Sequence, residues 1–172
     1  MRTKRKLPLK EIVLFGIFPA MMYASQLAMS GLANIHLIGM FTIVLTRLYR
    51  LKALIPLYVY VFIVGLFNGF NAWWVPYLYI WTVLWGLTML LPKKLPDVVA
   101  VVAYPLLCAF HGLTYGTMYA PAQALMYGYN LKQTVTWIIA GLPFDALHCI
   151  GDFAMGLLIF PLLKGLQYVI KD

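Results

Sequence analysis

Apolar residues fill six long stretches of this chain, and short segments rich in polar residues, Pro or Gly separate them. A membrane hydrocarbon core of roughly 30 Å takes about 20 helical residues to cross, and the stretches have about that length. The pattern therefore predicts an all-α integral membrane protein with six transmembrane helices. The predicted spans are residues 10–30, 34–50, 53–71, 73–91, 98–117 and 143–163.

The segment 118–142 is too long for a simple hairpin between the last two spans. Residues 131–140 are expected to form a short helix on the outer surface, anchored at the membrane interface by Trp137. Pro143 suits the first turn of a helix, so it is expected to begin the sixth span. We therefore interpret 118–142 as an outer cap on a single membrane domain, residues 1–172.

Basic residues predict the orientation, because cytoplasmic loops are enriched in Lys and Arg. Twelve of the 13 basic residues fall on one side of the predicted spans, and only Lys132 falls on the other. Both termini are therefore expected to be cytoplasmic. The first span follows a basic start, and we expect it to be retained rather than removed as a signal peptide. The twelve basic residues are Arg2, Lys4, Arg5, Lys6, Lys10, Arg47, Arg50, Lys52, Lys93, Lys94, Lys164 and Lys171.

The composition agrees with a membrane protein. The chain is 63% hydrophobic and only 10% charged, with a mean hydropathy of +0.85; a soluble domain carries roughly 25% charged residues. The net charge of +8 is a topology signal with some attraction to anionic lipid. It does not indicate nucleic-acid binding, since the basic residues are scattered at span ends. Cys108 and Cys149 lie in apolar segments and are expected to be packing residues.

Polar side chains concentrate in the outer halves of the predicted spans, while the inner halves contain few. This asymmetry predicts a polar pocket that opens to the outside above an apolar plug. It argues against a water-filled pore, which needs polar lining along its whole length. The expected substrate-binding residues are Asn34, His36, Asn68, Asn71, Trp74, His111, Tyr115, Tyr119, Asp145 and His148.

The last apolar stretch carries Asp145, His148 and Asp152, and an ionisable side chain within a membrane is by default a functional hypothesis. Their spacings of three and four place them on one helical face. Asp145 is expected in the first helical turn, where the helix dipole favours a carboxylate. Asp152 lies about 10 Å deeper. It is hydrogen-bonded to a partner span, protonated, or at the pocket floor, and we favour a structural role.

Two other functional hypotheses stay open. A membrane enzyme or a metal- or haem-binding protein would use His111, His148, Asp145 and Asp152, although their spacing matches no known zinc pattern. A stand-alone secondary transporter is the other. The chain has no Ser-His-Asp order and no phosphate-binding Gly loop. We therefore predict no enzyme activity, no catalytic residue, no cofactor and no metal.

Four small residues, Gly16, Ala20, Ala24 and Ala28, recur every fourth position in the first span. They form one ridge along a helix face, and such ridges let another helix approach closely. The ridge is either a docking face for another protein or a packing face within this one. Pro19 is expected to kink the same helix.

With six predicted spans, inner termini and these alanines, the chain resembles the substrate-binding S components of energy-coupling factor (ECF) transporters. Ala20 and Ala24 are similar to the Ala-x-x-x-Ala pair in the first helix of that family. Residues 140–148 and 151–153 resemble the last-helix region of several members, although Asp152 stands where an Asn is expected.

The resemblance implies a bacterial cytoplasmic membrane protein that captures a vitamin or related micronutrient from outside. It implies docking through the small-residue face onto a membrane T component with two cytoplasmic ATPase subunits, and toppling of the S component to release the cargo. Because only Lys132 is basic near the outer face, a phosphate ester is not the expected cargo. A neutral or weakly cationic heterocycle, similar to thiamine, pyridoxine or a purine, fits an aromatic pocket better.

Overall fold

Within residues 8–171, which the computed structural model of the protein describes (side chains through residue 168), the chain is helical and contains no strand. Two short 3₁₀ turns, Arg50–Ala53 and Ala72–Trp74, connect some of the helices. The helices are α1 (Leu9–Ala28), α2 (Ile38–Tyr49), α3 (Leu54–Asn68), α4 (Tyr77–Leu90), α5 (Asp97–Leu113), α6 (Tyr115–Tyr127), α7 (Leu131–Gly156) and α8 (Ile159–Lys171).

Four helical stretches are long and apolar enough to cross a membrane: 9–28, 38–68, 97–127 and 131–168. This confirms the all-α class and indicates a membrane protein. The count of six crossings and the side that each terminus faces stay predictions. The basic residues Arg2, Lys4, Arg5 and Lys6, and the side chain of Lys171, lie outside the described residues.

Each of the first five predicted spans coincides with one helix, α1 to α5, and backbone chemistry explains several of the ends. Arg50 ends α2 with φ 54° and ψ −120°, and Gly69 ends α3 with φ 91°. Glycine adopts a positive φ more readily than any other residue does. Leu91 ends α4 in an extended conformation because it precedes a proline.

The predicted start of the last helix at Pro143 is wrong. α7 begins at Leu131, where Asn130 and Gln133 form a capping box: each side chain accepts a hydrogen bond from the other residue's backbone N–H. The helix then continues through Pro143 to Gly156. The predicted cap 118–142 is therefore mostly helical, formed by α6 and the first turns of α7. The predicted span 143–163 is divided by a turn at residues 157–158.

Close contact between α5 and α7 organises the centre of the bundle. A Cβ added to Gly112 of α5 would lie 2.9 Å from the carbonyl oxygen of His148, and one added to Gly156 of α7 would lie 2.7 Å from the Cα of Pro105. Only residues without a side chain allow two helices to approach this closely. Cys108 is fully buried beside this contact, which agrees with its prediction as a packing residue, whereas Cys149 is half-buried.

Several of the described basic residues lie together at one end of the bundle, which we call the basic end. Lys52 pairs with Glu11 at 2.6 Å, and Lys164 pairs with Asp97 at 2.8 Å. Arg47 donates a hydrogen bond to the carbonyl oxygen of Lys93 at 2.8 Å. These contacts join the start of α1, the turn after α2, the segment before α5, and α8. His36 lies just before the other end of α2, a helix of 12 residues that is about 18 Å long.

A cavity with two histidines and a buried carboxylate

A cavity of about 470 Å³ lies at the end of the bundle opposite the basic end. We call this the histidine end. It is formed by the end of α1, the connection to α2, and parts of α3, α4, α6 and α7. This volume suits a small organic molecule. The lining residues are Gln26, Leu27, Met29, Ser30, Leu32, Asn34, Ile35, His36, Asn68, Trp73, Tyr77, Tyr115, Tyr119 and His148.

A smaller recess of about 230 Å³ shares four of these residues, namely Asn34, Tyr115, Tyr119 and His148. Asp145 lines the recess together with other residues of α7. Asn34 is held at its edge by a hydrogen bond from its side-chain nitrogen to the carbonyl oxygen of Phe144, 3.2 Å away. The four shared residues make the recess and the cavity adjoining parts of one polar region.

His36 and His148 meet at the floor of the cavity although 112 positions separate them in the chain. Their Nε2 atoms are 3.0 Å apart, so one ring donates a hydrogen bond to the other. Asp152, one turn further along α7, places its Oδ2 3.7 Å from His148 Nε2 and its Oδ1 3.8 Å from His36 Nδ1. The three side chains form a cluster at the junction of α7 with the residues before α2.

Asp152 is fully buried, and neither of its oxygens has a hydrogen-bond partner among the described residues. Two glycines make room for this carboxylate. A Cβ at Gly112 of α5 would lie 3.0 Å from Oδ2, and one at Gly39 of α2 would lie 3.3 Å from the same atom. Burial of an unpaired charge is costly, which makes this carboxylate a candidate functional group.

Asp145 has a different environment. The prediction that it lies in the first turn of its helix is wrong, because α7 begins at Leu131. Its Oδ1 instead accepts a hydrogen bond of 2.9 Å from the backbone N–H of Gly116, in the first turn of α6. Such N–H groups lack intrahelical partners. The carboxylate therefore caps a neighbouring helix, while its Oδ2 has no partner among the described residues.

Aromatic rings form much of the remaining wall. The Tyr115 ring lies 4.6 Å from the His148 ring and 6.0 Å from that of Tyr119. The Tyr119 hydroxyl donates a hydrogen bond to the carbonyl oxygen of Trp73, which fixes α6 against the turn before α4. These rings give the cavity flat apolar faces with hydroxyl groups at their edges.

The core between the cavity and the basic end is apolar. Ile43, Val44 and Leu84 are fully buried there. The hydroxyls of Thr42 and Thr46 donate to carbonyl oxygens of their own helix at 2.8 and 2.7 Å, and Thr88 does the same in α4 at 2.7 Å. These hydroxyls therefore present no free polar group to a path through the bundle. The arrangement agrees with the predicted apolar plug below a polar pocket, and the opening of that pocket to the outside stays a prediction.

Most of the predicted binding residues lie in this region: Asn34, His36, Asn68, Tyr115, Tyr119 and His148 line the cavity, and Asp145 lines the recess. Three others do not. Trp74 is turned away and donates from Nε1 to the carbonyl oxygen of Val61 at 2.8 Å. Asn71 is exposed at the start of a 3₁₀ turn. His111 is fully buried beside the Trp81 ring, with Nε2 3.2 Å from the carbonyl oxygen of Ile80.

Sequence reasoning missed Trp73, Tyr77 and Gln26, which line the cavity. The structural role favoured for Asp152 stays a prediction. Trp73 and Trp74 are neighbours in the sequence, and only the 3₁₀ turn decides which one faces inward. A signal for close packing beside Asp152 was available, because Gly39 and Gly112 fall inside the predicted apolar spans 34–50 and 98–117. Conspicuous glycines at such positions often mark the close approach of another group.

The small residues of α1 face outward. Gly16, Ala20, Ala24 and Ala28 are all exposed, and a Cβ added to Gly16 would meet no atom within 4 Å. The ridge therefore does not serve internal packing of the described residues, and its expected role as a docking face stays a prediction.

The basic end has a cavity of its own, of about 330 Å³, whose lining includes Arg47, Lys93, Lys94, Asp97 and Lys164. Its lysines and its aspartate are solvent-exposed. Its lining also includes the rings of Tyr104 and Phe160, but it has no buried histidine or buried carboxylate among the described residues. We therefore place the candidate site at the histidine end.

No protein-family model, curated protein or solved structure matches this chain.

Proposed function

We propose that this protein is the substrate-binding S subunit of an ECF-type importer in a bacterial cytoplasmic membrane. In this proposal the chain crosses the membrane six times with both termini in the cytoplasm. The observation that carries the proposal is the cavity at the histidine end, which is lined by polar and aromatic groups and closed below by an apolar core. Such a pocket binds a solute but offers it no path through the protein.

A closed pocket requires a partner to complete transport. The exposed ridge at Gly16, Ala20, Ala24 and Ala28 supports docking of this subunit onto a membrane T component, because a surface without large side chains allows close helix contact. The T component would couple the subunit to two cytoplasmic ATPases, and toppling of the subunit in the membrane would release the cargo.

The cavity lining favours a flat, neutral or weakly cationic heterocycle as cargo. Trp73, Tyr77, Tyr115 and Tyr119 supply ring faces for stacking, and Asn34 and Asn68 supply amides for hydrogen bonds. The lining residues of the described cavity include no Lys or Arg. A vitamin-like ring therefore fits this cavity better than a phosphate ester does.

The test is double replacement of Ala20 and Ala24 by Leu, with uptake, ligand binding and co-purification of partner subunits measured in parallel. Uptake and co-purification should be lost while ligand binding is retained, since neither alanine lines the cavity. Ala154→Leu, a similar enlargement at an exposed position of α7, is the matched control and should leave all three unchanged.

Mass spectrometry of small molecules that co-purify with the protein would identify the cargo. Survival of uptake in the double variant would contradict the docking role of the ridge. Uptake by the chain alone, with no T component or ATPase present, would identify a stand-alone transporter instead. A bound compound that is always phosphorylated or polyanionic would contradict the proposed cargo class.

A further inference from the structure

The cluster of His36, His148 and Asp152 has the composition of a metal-binding site. One ring nitrogen from each histidine and one oxygen of Asp152 all lie within 4.8 Å of one another. Bonds of about 2.1 Å in a tetrahedral site place the ligand atoms roughly 3.4 Å apart. The shortest separations do not all use the same atoms: 3.0 Å joins the two Nε2 atoms, 3.7 Å joins His148 Nε2 to Asp152 Oδ2, and 3.8 Å joins His36 Nδ1 to Asp152 Oδ1. With one ligand atom per residue all separations stay within 4.8 Å, so side-chain shifts on the order of 1 Å would complete the geometry.

The buried carboxylate provides an independent reason to expect a cation. Asp152 is fully buried and both of its oxygens lack a hydrogen-bond partner among the described residues. The backbone approaches it through Gly39 and Gly112, so the space around the carboxylate depends on two missing side chains. A buried charge is retained when it is paired or when it coordinates a metal.

We propose that His36, His148 and Asp152 bind one divalent first-row transition metal ion at the floor of the cavity. Two imidazoles and one carboxylate suit Zn²⁺, Co²⁺ or Ni²⁺ better than Mg²⁺ or Ca²⁺, which prefer oxygen ligands. The site stands independently of transport, because it requires only these three residues.

The metal would keep at least one coordination position open toward the cavity. His36 and His148 both line the cavity, and the side chain of His36 is 16% exposed. Three protein ligands leave a tetrahedral ion one free position. An oxygen or nitrogen donor of a cavity ligand, or a water molecule, would occupy that position below the rings of Tyr115 and Tyr119.

The site differs from the one that the sequence suggested for a metal- or haem-binding protein. His111 faces the carbonyl oxygen of Ile80, and Asp145 accepts the N–H of Gly116. Neither belongs to the cluster. His36, from the connection between α1 and α2, takes their place. His111 is therefore a suitable control, being another buried histidine in the same bundle.

The test uses the full chain purified in detergent, treated with chelator and titrated with Co²⁺. We expect one Co²⁺ per chain, visible absorption bands from the bound ion, and displacement by Zn²⁺. His36→Gln, His148→Gln and Asp152→Asn should each weaken Co²⁺ binding by at least about 100-fold, more than the loss seen when a group that only orients a ligand is removed. His111→Gln should change it by less than about 3-fold, since it leaves all three ligands in place.

X-ray absorption of the zinc-loaded wild-type protein tests the same site without a variant, and it should show scattering from two imidazole rings. The proposal is overturned if the wild-type chain binds neither Co²⁺ nor Zn²⁺. It is equally overturned if His111→Gln weakens binding as much as the ligand variants do, or if the absorption spectrum lacks imidazole scattering.

Discussion

Asp97 and Asp152 are aspartates at opposite ends of the bundle, and their environments differ. The Asp97 side chain is 63% exposed and pairs with Lys164 at 2.8 Å. Asp152 is fully buried, with two histidine nitrogens at 3.7 and 3.8 Å and no hydrogen bond among the described residues. Water and a flexible lysine stabilise the first carboxylate. The second depends on groups fixed by the packing of α2, α5 and α7. Burial, rather than residue type, separates a surface charge from a candidate site.

The largest expected effect concerns zinc at the histidine end. Free Zn²⁺ at about 100 times its dissociation constant should stabilise the wild-type protein by about 2.7 kcal/mol, because the ion binds only the folded state. Asp152→Asn should remove this gain, whereas Asp97→Asn should retain it. The free energy of unfolding in detergent, with and without Zn²⁺, measures both. Equal zinc stabilisation of the two variants would remove the distinction between these carboxylates.

The space around Asp152 is the second difference to test. Gly112→Ala would place a Cβ 2.9 Å from the His148 carbonyl oxygen and 3.0 Å from Asp152 Oδ2. Overpacking of this kind typically costs about 1–3 kcal/mol. Gly86→Ala in α4 meets nothing within 4 Å and should instead gain up to about 1 kcal/mol from helix propensity. Thermal unfolding in detergent compares the two, and a stable Gly112→Ala variant would contradict the tight contact.

Backbone conformation offers a third test, because each end has one non-glycine residue with positive φ among the described residues. Asn34 has φ 58° at the histidine end, and Arg50 has φ 54° at the basic end. Asn34→Ala should lower the free energy of unfolding by about 1–2 kcal/mol, because alanine disfavours the left-handed conformation. The variant also loses the hydrogen bond to the carbonyl oxygen of Phe144.

Asn34→Gly should lose only that bond, about 1 kcal/mol. Arg50→Gly should be nearly neutral, since relief of the backbone offsets the lost bond to the Met89 carbonyl oxygen. The free energies of unfolding of the three variants decide this, and equal losses for Asn34→Ala and Asn34→Gly would exclude a backbone contribution.

The smallest effect is expected for the ion pair at the basic end. Asp97→Asn or Lys164→Met should change the free energy of unfolding by about 0–1 kcal/mol, because exposed pairs gain little in water. The difference should shrink further at high ionic strength. Measurements at low and high salt check this. A loss much larger than 1 kcal/mol at high salt would show that the pair acts as part of a buried network.

Much of the fold could be predicted because its signals are local. Apolar stretches of membrane length place the first five helices within a few residues of their observed bounds. The helix through Pro143 could not be predicted in the same way. Proline is usually found in the first turn, yet helices in membranes tolerate it internally when neighbouring groups satisfy the freed backbone. The capping box at Asn130 was a local start signal that the proline obscured.

The candidate site shows the same division between local and non-local information. Spacing alone places Asp145, His148 and Asp152 on one helix face, because the helical period depends only on spacing. Contacts between helices bring His36 to His148 and Asp145 to Gly116. They also turn Trp73 rather than Trp74 toward the cavity. These choices depend on how closely α5 and α7 approach and where the connections run. Spacing along one helix contains no information about contacts between residues that are distant in the chain.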